Sequence, residues 1–248
     1  MKSNKLDHKE LVELDKPVCE EQKALYRALA EKALAETEKF KHDAAKAKYE
    51  AEYEKLNLAE KTRKENDILS GDQYNHVYNF INEVSDESVS SCMSVMSRWS
   101  RLAPRCDITL VLTSPGGSII PGMALFDFLL DLRKKGHKLT TISRGYSASM
   151  AGILLQAGTE RVAGQQSWLL IHQASFGTGG KLGDVEDRVE WIKAVCERIL
   201  DIFAERAAKS TNKEISKVRA FIRKNWERKD FWINSEDALK HGFVDRVE

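Results

Sequence analysis

The chain has 248 residues and carries 39 lysine and arginine residues against 38 aspartate and glutamate residues, a formal net charge of +1. This balance excludes a basic nucleic-acid surface or an acidic tail as a dominant feature. Hydrophobic residues make up 42% of the chain, enough for a folded core, and charged residues make up 31%, so one segment must be unusually polar. The first residues, MKSNKLDHKE, lack the apolar stretch of an export signal, and no membrane-spanning run follows. We therefore expect a cytoplasmic protein.

Residues 18–70 contain neither glycine nor proline and are rich in Ala, Glu, Lys, Leu and Arg, the strongest helix formers. One long helix or two are predicted, within a charged helical extension over residues 1–70. The apolar positions form a thin, alanine-rich stripe rather than a strict heptad seam. They are Leu25, Leu29, Ala33, Leu34, Phe40, Ala44, Ala47 and Leu56. Two interpretations stay open: a solvated arm, or an arm that forms a coiled coil or binds a partner.

From about residue 72, β-rich segments alternate with helical ones, which is typical of βαβ units and a mostly parallel sheet. Strands are predicted at residues 76–81, 108–112, 139–143 and 168–171. Helices are predicted from Asp86, as N-cap, to residue 99, at residues 118–135, up to Gly158 with Ser147 as N-cap, and at residues 184–209. The sequence thus predicts one α/β domain over residues 71–248.

Two turns that follow predicted strands are candidate sites, because α/β sheets bind ligands at the carboxyl ends of their strands. In the first, Gly116 and Gly117 allow positive φ and close approach of the backbone to a ligand. The second, residues 145–152, places Ser147 and Ser149 at a helix N-terminus, where unpaired N–H groups can stabilise an oxyanion. Either serine is a candidate nucleophile, although neither lies in a G-x-S-x-G motif.

His172 follows the last predicted strand, where it is either a structural histidine or the base that a serine nucleophile needs. The glycine-rich segment after it resembles a phosphate-binding loop. However, Ser175 stands for the leading glycine and Leu182 for the final Ser/Thr, so we reject a nucleotide site. A flexible edge segment that pairs with an extended peptide is the better interpretation.

The cysteines indicate reduced thiols rather than a metal site or a disulfide framework. They show no C-x-x-C pair and no zinc spacing. They are Cys19, Cys92, Cys106 and Cys196.

Four motifs, in order over residues 80–247, resemble those of the Clp-type serine peptidase family (ClpP). The motifs are Ser114-Pro115-Gly116-Gly117-Ser118, Ala148-Ser149-Met150, Ile171-His172-Gln173, and Asp230-Phe231-Trp232 through Gly242-Phe243-Val244-Asp245. Each is ordinary alone, and their order makes the signal strong. The resemblance implies a ClpP/crotonase-like core behind the helical arm, and a serine endopeptidase that requires no metal or organic cofactor.

Carried over by position, the resemblance makes Ser149 the nucleophile, His172 the general base and Asp230 the acid that orients the imidazole. Asp237 lies near Asp230 in the sequence and is the competing candidate for the acid.

The resemblance also implies that backbone groups hold the substrate. The oxyanion donors would be the N–H groups of Gly117 and Met150, which joins the two turns into one site. The expected substrate-binding residues are Gly116, Ser118 and Gly177.

The family acts on polypeptides as heptameric rings, which stack into a double-ring tetradecamer, with an ATP-dependent unfoldase as the usual partner. In it, the helix at residues 184–209 and a preceding glycine-rich strand dock the two rings. Neither nucleic acid nor membrane is expected as a partner.

This sequence departs from the family at Ala174, in the lengths of the Gly117–Ser149 and Ser149–His172 intervals, and at its N-terminus. Ala174 stands where the family usually has proline, and about 70 residues precede the core. A long charged helix is similar to phage-encoded Clp-like proteases of head assembly, so a capsid or scaffold protein is an alternative partner. A non-proteolytic assembly protein and an enzyme resembling enoyl-CoA hydratases are further alternatives.

Overall fold

The computed structural model describes residues 20–227 and 229–248, and the chain divides into two compact units between Asp67 and Ile68. One continuous helix, α1 (Glu20–Ser70), provides the described part of the first unit. It has 51 residues and none of them is buried. The sequence predicted either one long helix or two, and the structure confirms one helix. Residues 18 and 19 of the predicted segment, Cys19 among them, lie outside the described residues.

The second unit is a mixed α/β domain in which the described residues form one seven-stranded sheet. The strands are β1 (Val77–Phe80), β2 (Ile108–Ser114), β3 (Leu139–Ala148), β4 (Glu160–Ala163), β5 (Trp168–Ile171), β6 (Phe231–Asn234) and β7 (Arg246–Val247). The helices are α2 (Asp86–Leu102), α3 (Ile119–Lys134), α4 (Met150–Leu155), α5 (Leu182–Thr211), α6 (Ile215–Trp226) and α7 (Ser235–Lys240).

Parallel pairing gives the strand order β1-β2-β3-β4-β7, and strand β3 is the branch point of the sheet. Residues 140–143 of β3 pair with β4, whereas residues 146–148 pair with β5. Strand β6 then pairs with β5 in the antiparallel direction. Because β2 occupies one edge of β3, strands β4 and β5 both pair with its other edge, at successive positions along the strand.

The hydrophobic core lies between this sheet and its helices. Residues of β2 alternate between buried and partly buried, as a strand with one face on the core requires. Helix α3 buries Leu125, Leu129 and Leu132 at helical spacing. No helix among the described residues is long and apolar enough to cross a membrane.

The predicted strands and helices are present, with corrections at their ends. Strand β3 does not stop at residue 143 but continues to Ala148, because pairing with β5 satisfies its backbone. The following helix therefore begins at Met150, and Ser149 rather than Ser147 occupies its N-cap position. The N-cap of α2 is Ser85 rather than Asp86, since Ser85 forms a capping box with Ser88.

The glycine-rich strand expected before α5 is absent from the single chain. Residues 172–180 have no strand or helix structure. Gly177 and Gly179 have no neighbouring atoms within 4 Å of an added Cβ. Glycines offer a strand no side chain to pack, and this segment finds no partner strand within the described residues.

Candidate active site

The carboxyl ends of β2, β3 and β5 meet at a pocket with about 430 Å³ of empty space. Gly117 comes from the turn after β2, Ser149 and Met150 from the junction of β3 with α4, and His172 from the end of β5. The two turns and the histidine singled out in the sequence therefore line one pocket. Parallel strands produce this convergence because they end at the same edge of the sheet.

Ser149 lies at a sharp strand-to-helix junction. Its backbone has φ 54° and ψ −123°, a conformation that L-residues other than glycine rarely adopt. Its N–H donates to the carbonyl of Leu170 at 3.0 Å, and its carbonyl accepts from the N–H of Gly152 at 3.0 Å. The side chain makes no cap hydrogen bond to α4. This geometry is that of a nucleophile elbow, formed here without the G-x-S-x-G sequence.

Gly116 brings the first turn against the nucleophile. Its φ is +90°, and an added Cβ would lie 2.5 Å from the carbonyl oxygen of Ala148 and 2.6 Å from Cβ of Ser149. No other residue fits at this position without moving the serine. The close approach of the two turns thus explains why position 116 is occupied by glycine.

Gly117 is held by Val84 on the other side of the turn. The N–H of Val84 donates to the carbonyl of Gly116 at 2.7 Å, and the N–H of Ser118 donates to the carbonyl of Val84 at 2.7 Å. These bonds leave the Gly117 N–H unused. Within residues 20–227 and 229–248, neither this N–H nor that of Met150 donates to another group of the chain. Two unpaired donors beside a serine are the components of an oxyanion hole.

The register of β5 and β6 relates His172 to Asp230. The antiparallel ladder ends with Ile171 opposite Phe231, and His172 and Asp230 are the next residues beyond that last pair. His172 is partly buried and Asp230 is exposed. Asp237, the competing acid, lies in the first turn of α7, where its N–H is capped by the Asn234 side chain at 2.8 Å.

Ser149 and His172 line the same pocket, whereas Asp230 is not among the residues that line it. In the described part of the chain, no hydrogen bond involves the Ser149 hydroxyl, the His172 ring or the Asp230 carboxylate. Catalytic hydrogen bonds are often long in free enzymes and shorten when substrate binds.

The remaining predicted residues lie around the pocket rather than in it. Ser118 is exposed at the start of α3, Gly116 is buried behind the turn, and Gly177 is exposed beyond the pocket. Ser147 is buried, and its hydroxyl donates to the Ser143 hydroxyl at 2.8 Å.

The apolar wall of the pocket was not predicted from the sequence. Ile153 of α4 and Ile199 and Phe203 of α5 line it together with Ile171. The helical spacing of Ile199 and Phe203 was the available signal, but it is equally typical of core packing. Among the described residues, no group of three or more His, Cys, Asp or Glu side chains has the arrangement of a metal site.

The sequence is similar to those of known proteins of one family. The family model for the Clp protease matches residues 61–248. The ATP-dependent Clp protease proteolytic subunit 3 of Streptomyces coelicolor is 32% identical over 195 residues, which cover 77% of this chain and 78% of that protein. Subunit 2 of Tropheryma whipplei is 33% identical over 146 residues, which cover 58% of this chain and 74% of that protein. The chain therefore belongs to the Clp protease family and is a serine endopeptidase of the ClpP type.

Proposed function

We propose that this endopeptidase cleaves polypeptides with Ser149 as nucleophile, His172 as general base and Asp230 as the orienting acid. The observation that carries the proposal is the conformation of Ser149. Its strained backbone lies in the same pocket as His172 and beside the unpaired N–H groups of Gly117 and Met150. Strain of this kind is concentrated at functional sites.

The arrangement provides each step of acyl transfer. His172 takes the hydroxyl proton of Ser149 while the oxygen attacks the substrate carbonyl, and the resulting oxyanion accepts hydrogen bonds from Gly117 and Met150. His172 then gives the proton to the leaving amine, and the carbon–nitrogen bond breaks. Water, activated by His172, hydrolyses the acyl ester and regenerates Ser149. Asp230 keeps the imidazole in the required tautomer and stabilises the imidazolium.

Replacing Ser149→Ala tests the nucleophile, with Ser147→Ala as the matched control two residues away. We expect S149A to lose both hydrolysis of a fluorogenic peptide and labelling by a fluorophosphonate, down to the level without enzyme. S147A removes only the buried hydrogen bond to Ser143 and keeps the label. A label that persists in S149A would identify a different nucleophile.

The enzyme is proposed to work as a heptameric ring, paired into a double ring with the active sites inside. Support comes from family membership and from large apolar side chains that the isolated domain leaves in contact with solvent. Trp168 and Trp232 on the β5–β6 pair are 47% and 48% exposed, and Trp191 on α5 is 44% exposed. Native mass spectrometry tests the assembly: a monomer at every concentration would exclude it.

An ATP-dependent unfoldase is the partner we propose first, because the curated relatives are ATP-dependent subunits by name. Helix α1 favours a second candidate, processing of a capsid or scaffold protein, because a 51-residue helix with no buried residue precedes the core. Digestion of a folded substrate separates the two. Cleavage that requires an unfoldase and ATP supports the first, and cleavage of a scaffold protein without ATP supports the second.

A further inference from the structure

Helix α1 presents an apolar face that nothing within the described chain covers. Although the apolar residues form no strict heptad seam, positions at alternating spacings of three and four residues between Tyr26 and Leu58 hold mostly alanine and larger apolar side chains, with Thr37 and Glu54 as exceptions, over a length of about 48 Å. In heptad notation, position a holds Ala30, Thr37, Ala44, Ala51 and Leu58, and position d holds Tyr26, Ala33, Phe40 and Ala47. Tyr26 and Phe40 are 67% and 76% exposed. The charged side chain of Glu54, at the d position after Ala47, interrupts the face before Leu58.

The flanks of this face carry opposite charges. Position g, on one side, holds Leu29, Glu36, Asp43 and Glu50, and position e, on the other, holds Arg27, Leu34, Lys41, Lys48 and Lys55. The lysines at e have no ion pair within 4 Å in the described residues. Glu36 and Glu50 pair only with lysines of the outer surface, at 4.0 and 3.8 Å, and remain largely exposed.

We propose that α1 binds a second copy of itself in a parallel, in-register coiled coil. In a parallel pair, each g residue faces the e residue five positions later on the other helix. This rule pairs Glu36 with Lys41, Asp43 with Lys48, and Glu50 with Lys55, and it also joins Leu29 to Leu34. Three of these pairs join opposite charges and the fourth joins two leucines. Each pair occurs twice because the two helices are related by symmetry.

The same charges disfavour the antiparallel arrangement. There, g faces g and e faces e, so acidic residues would oppose acidic residues and lysines would oppose lysines. Only the parallel arrangement gives the three unpaired lysines a partner. The occupant of the apolar face is thus another chain of this protein, independently of which bond the peptidase site cleaves.

Disulfide trapping in the full chain tests the contact. Ala44→Cys places a thiol at position a, where parallel helices bring the two residues 44 together, and Tyr49→Cys places one at position f on the opposite face. Counted above the background of the native cysteines, A44C is expected to form crosslinked dimers at least about fivefold faster than Y49C. Equal rates would overturn the proposal.

Charge reversal tests the direction. In the A44C chain, K41E/K48E/K55E makes both flanks acidic, and E36K/D43K/E50K makes both basic. Each should lower crosslinking by roughly fivefold or more, because attraction becomes repulsion in six pairs. Combining both sets restores complementarity and should restore crosslinking. Unchanged rates in all variants, or no recovery in the combined one, would overturn the parallel pairing. Circular dichroism checks that α1 stays helical.

Discussion

The backbone N–H of Ser149 donates a hydrogen bond to the carbonyl oxygen of Leu170 at 3.0 Å. This bond continues the pairing of β3 with β5 by one residue beyond the pair of Ala148 with Leu170. It therefore fixes the distance along the sheet between Ser149, the proposed nucleophile, and His172, two residues after Leu170. The active-site geometry depends on strand register rather than on side-chain contacts.

Replacing Gly116→Ala should abolish most of the activity. The added methyl group would overlap the carbonyl of Ala148 and Cβ of Ser149, and the residue would be strained at φ +90°. We expect kcat/KM to fall at least about 100-fold, as it does when an oxyanion donor is lost. The control, Gly177→Ala, adds a methyl group where nothing lies within 4 Å. If G177A lost as much as G116A, Gly177 would bind substrate directly.

Asp230→Asn and Asp237→Asn distinguish the two candidate acids. Asp230 and His172 lie just beyond the last residue pair of the β5–β6 ladder, and Asp230 is the proposed acid, so D230N should lower kcat about 10³- to 10⁴-fold by favouring the wrong tautomer of the imidazole. Asp237 contributes to the start of α7, and D237N should cost about 0.5 kcal/mol of stability with kcat nearly unchanged. Steady-state kinetics on both variants measures the difference. The reverse ranking would make Asp237 the acid.

Gly122→Ala should reduce both stability and kcat, against the usual trend. A glycine-to-alanine change inside a helix normally stabilises by up to about 1 kcal/mol. Here the added Cβ would lie 2.2 Å from Cγ of Met150, whose N–H is a proposed oxyanion donor. We expect a loss of about 1–3 kcal/mol in the free energy of unfolding. Gly183→Ala, at an open position of α5, is the control and should be neutral or stabilising.

Asp245 should stabilise the fold through the buried guanidinium of Arg161. Its carboxylate accepts from Nη2 at 2.5 Å and from Nε at 3.0 Å, while the Arg161 side chain is only 1% exposed. Burial raises the pKa of Asp245, but its bonds to Arg161 and the charge of that residue outweigh this, and the pKa lies below its ordinary value. Burial, followed by the charges of Arg161 and Arg133, lowers the pKa of Arg206 to about 10, so this region is already rich in positive charge.

Asp245→Asn should therefore lower the free energy of unfolding at neutral pH by about 3 kcal/mol. Because the folded pKa of Asp245 is depressed, its stabilisation is complete above the unfolded pKa of about 3.9 and is lost as the pH falls through the folded value. In denaturant titrations, the difference in the free energy of unfolding between wild type and D245N should therefore disappear over that acidic range. Asp131→Asn, which removes an exposed pair with Lys134, should change stability by about 0.5 kcal/mol or less.

Sequence patterns predicted the elements whose burial leaves a local periodic signal. Strand β2 and helix α5 carry such signals, and the motifs correctly located Ser149 and His172 at strand ends. Strand β3 was predicted too short because Ser143, Arg144 and Gly145 have the composition of a turn. Its pairing with β5 at residues 146–148 and with Ser114 of β2 at Ser147, which the local sequence does not encode, keeps it extended to Ala148.

Other features depend on residues far apart in the chain. Strand β4 has only four residues, and it contains Arg161, whose burial requires Asp245, 84 positions later. The unusual φ of Ser149 likewise results from contacts with the turn at Gly116 and with Leu170. Helix α6 was not predicted, although Val218, Ile222 and Trp226 are buried at intervals of four residues. That pattern could have been found.

The branching of the sheet at β3 attaches the proposed base and acid to the sheet by fewer residue pairs than the central strands share. Strand β5 is attached to β3 by three residue pairs, and β6 is attached only to β5, whereas β2 pairs with β3 at six positions. We therefore expect the β5–β6 pair, which ends next to His172 and Asp230, to open more readily than the pair of β2 and β3. We expect amide hydrogen exchange to be faster for residues 168–171 than for residues 108–112. Equal protection would show that this edge opens only by global unfolding.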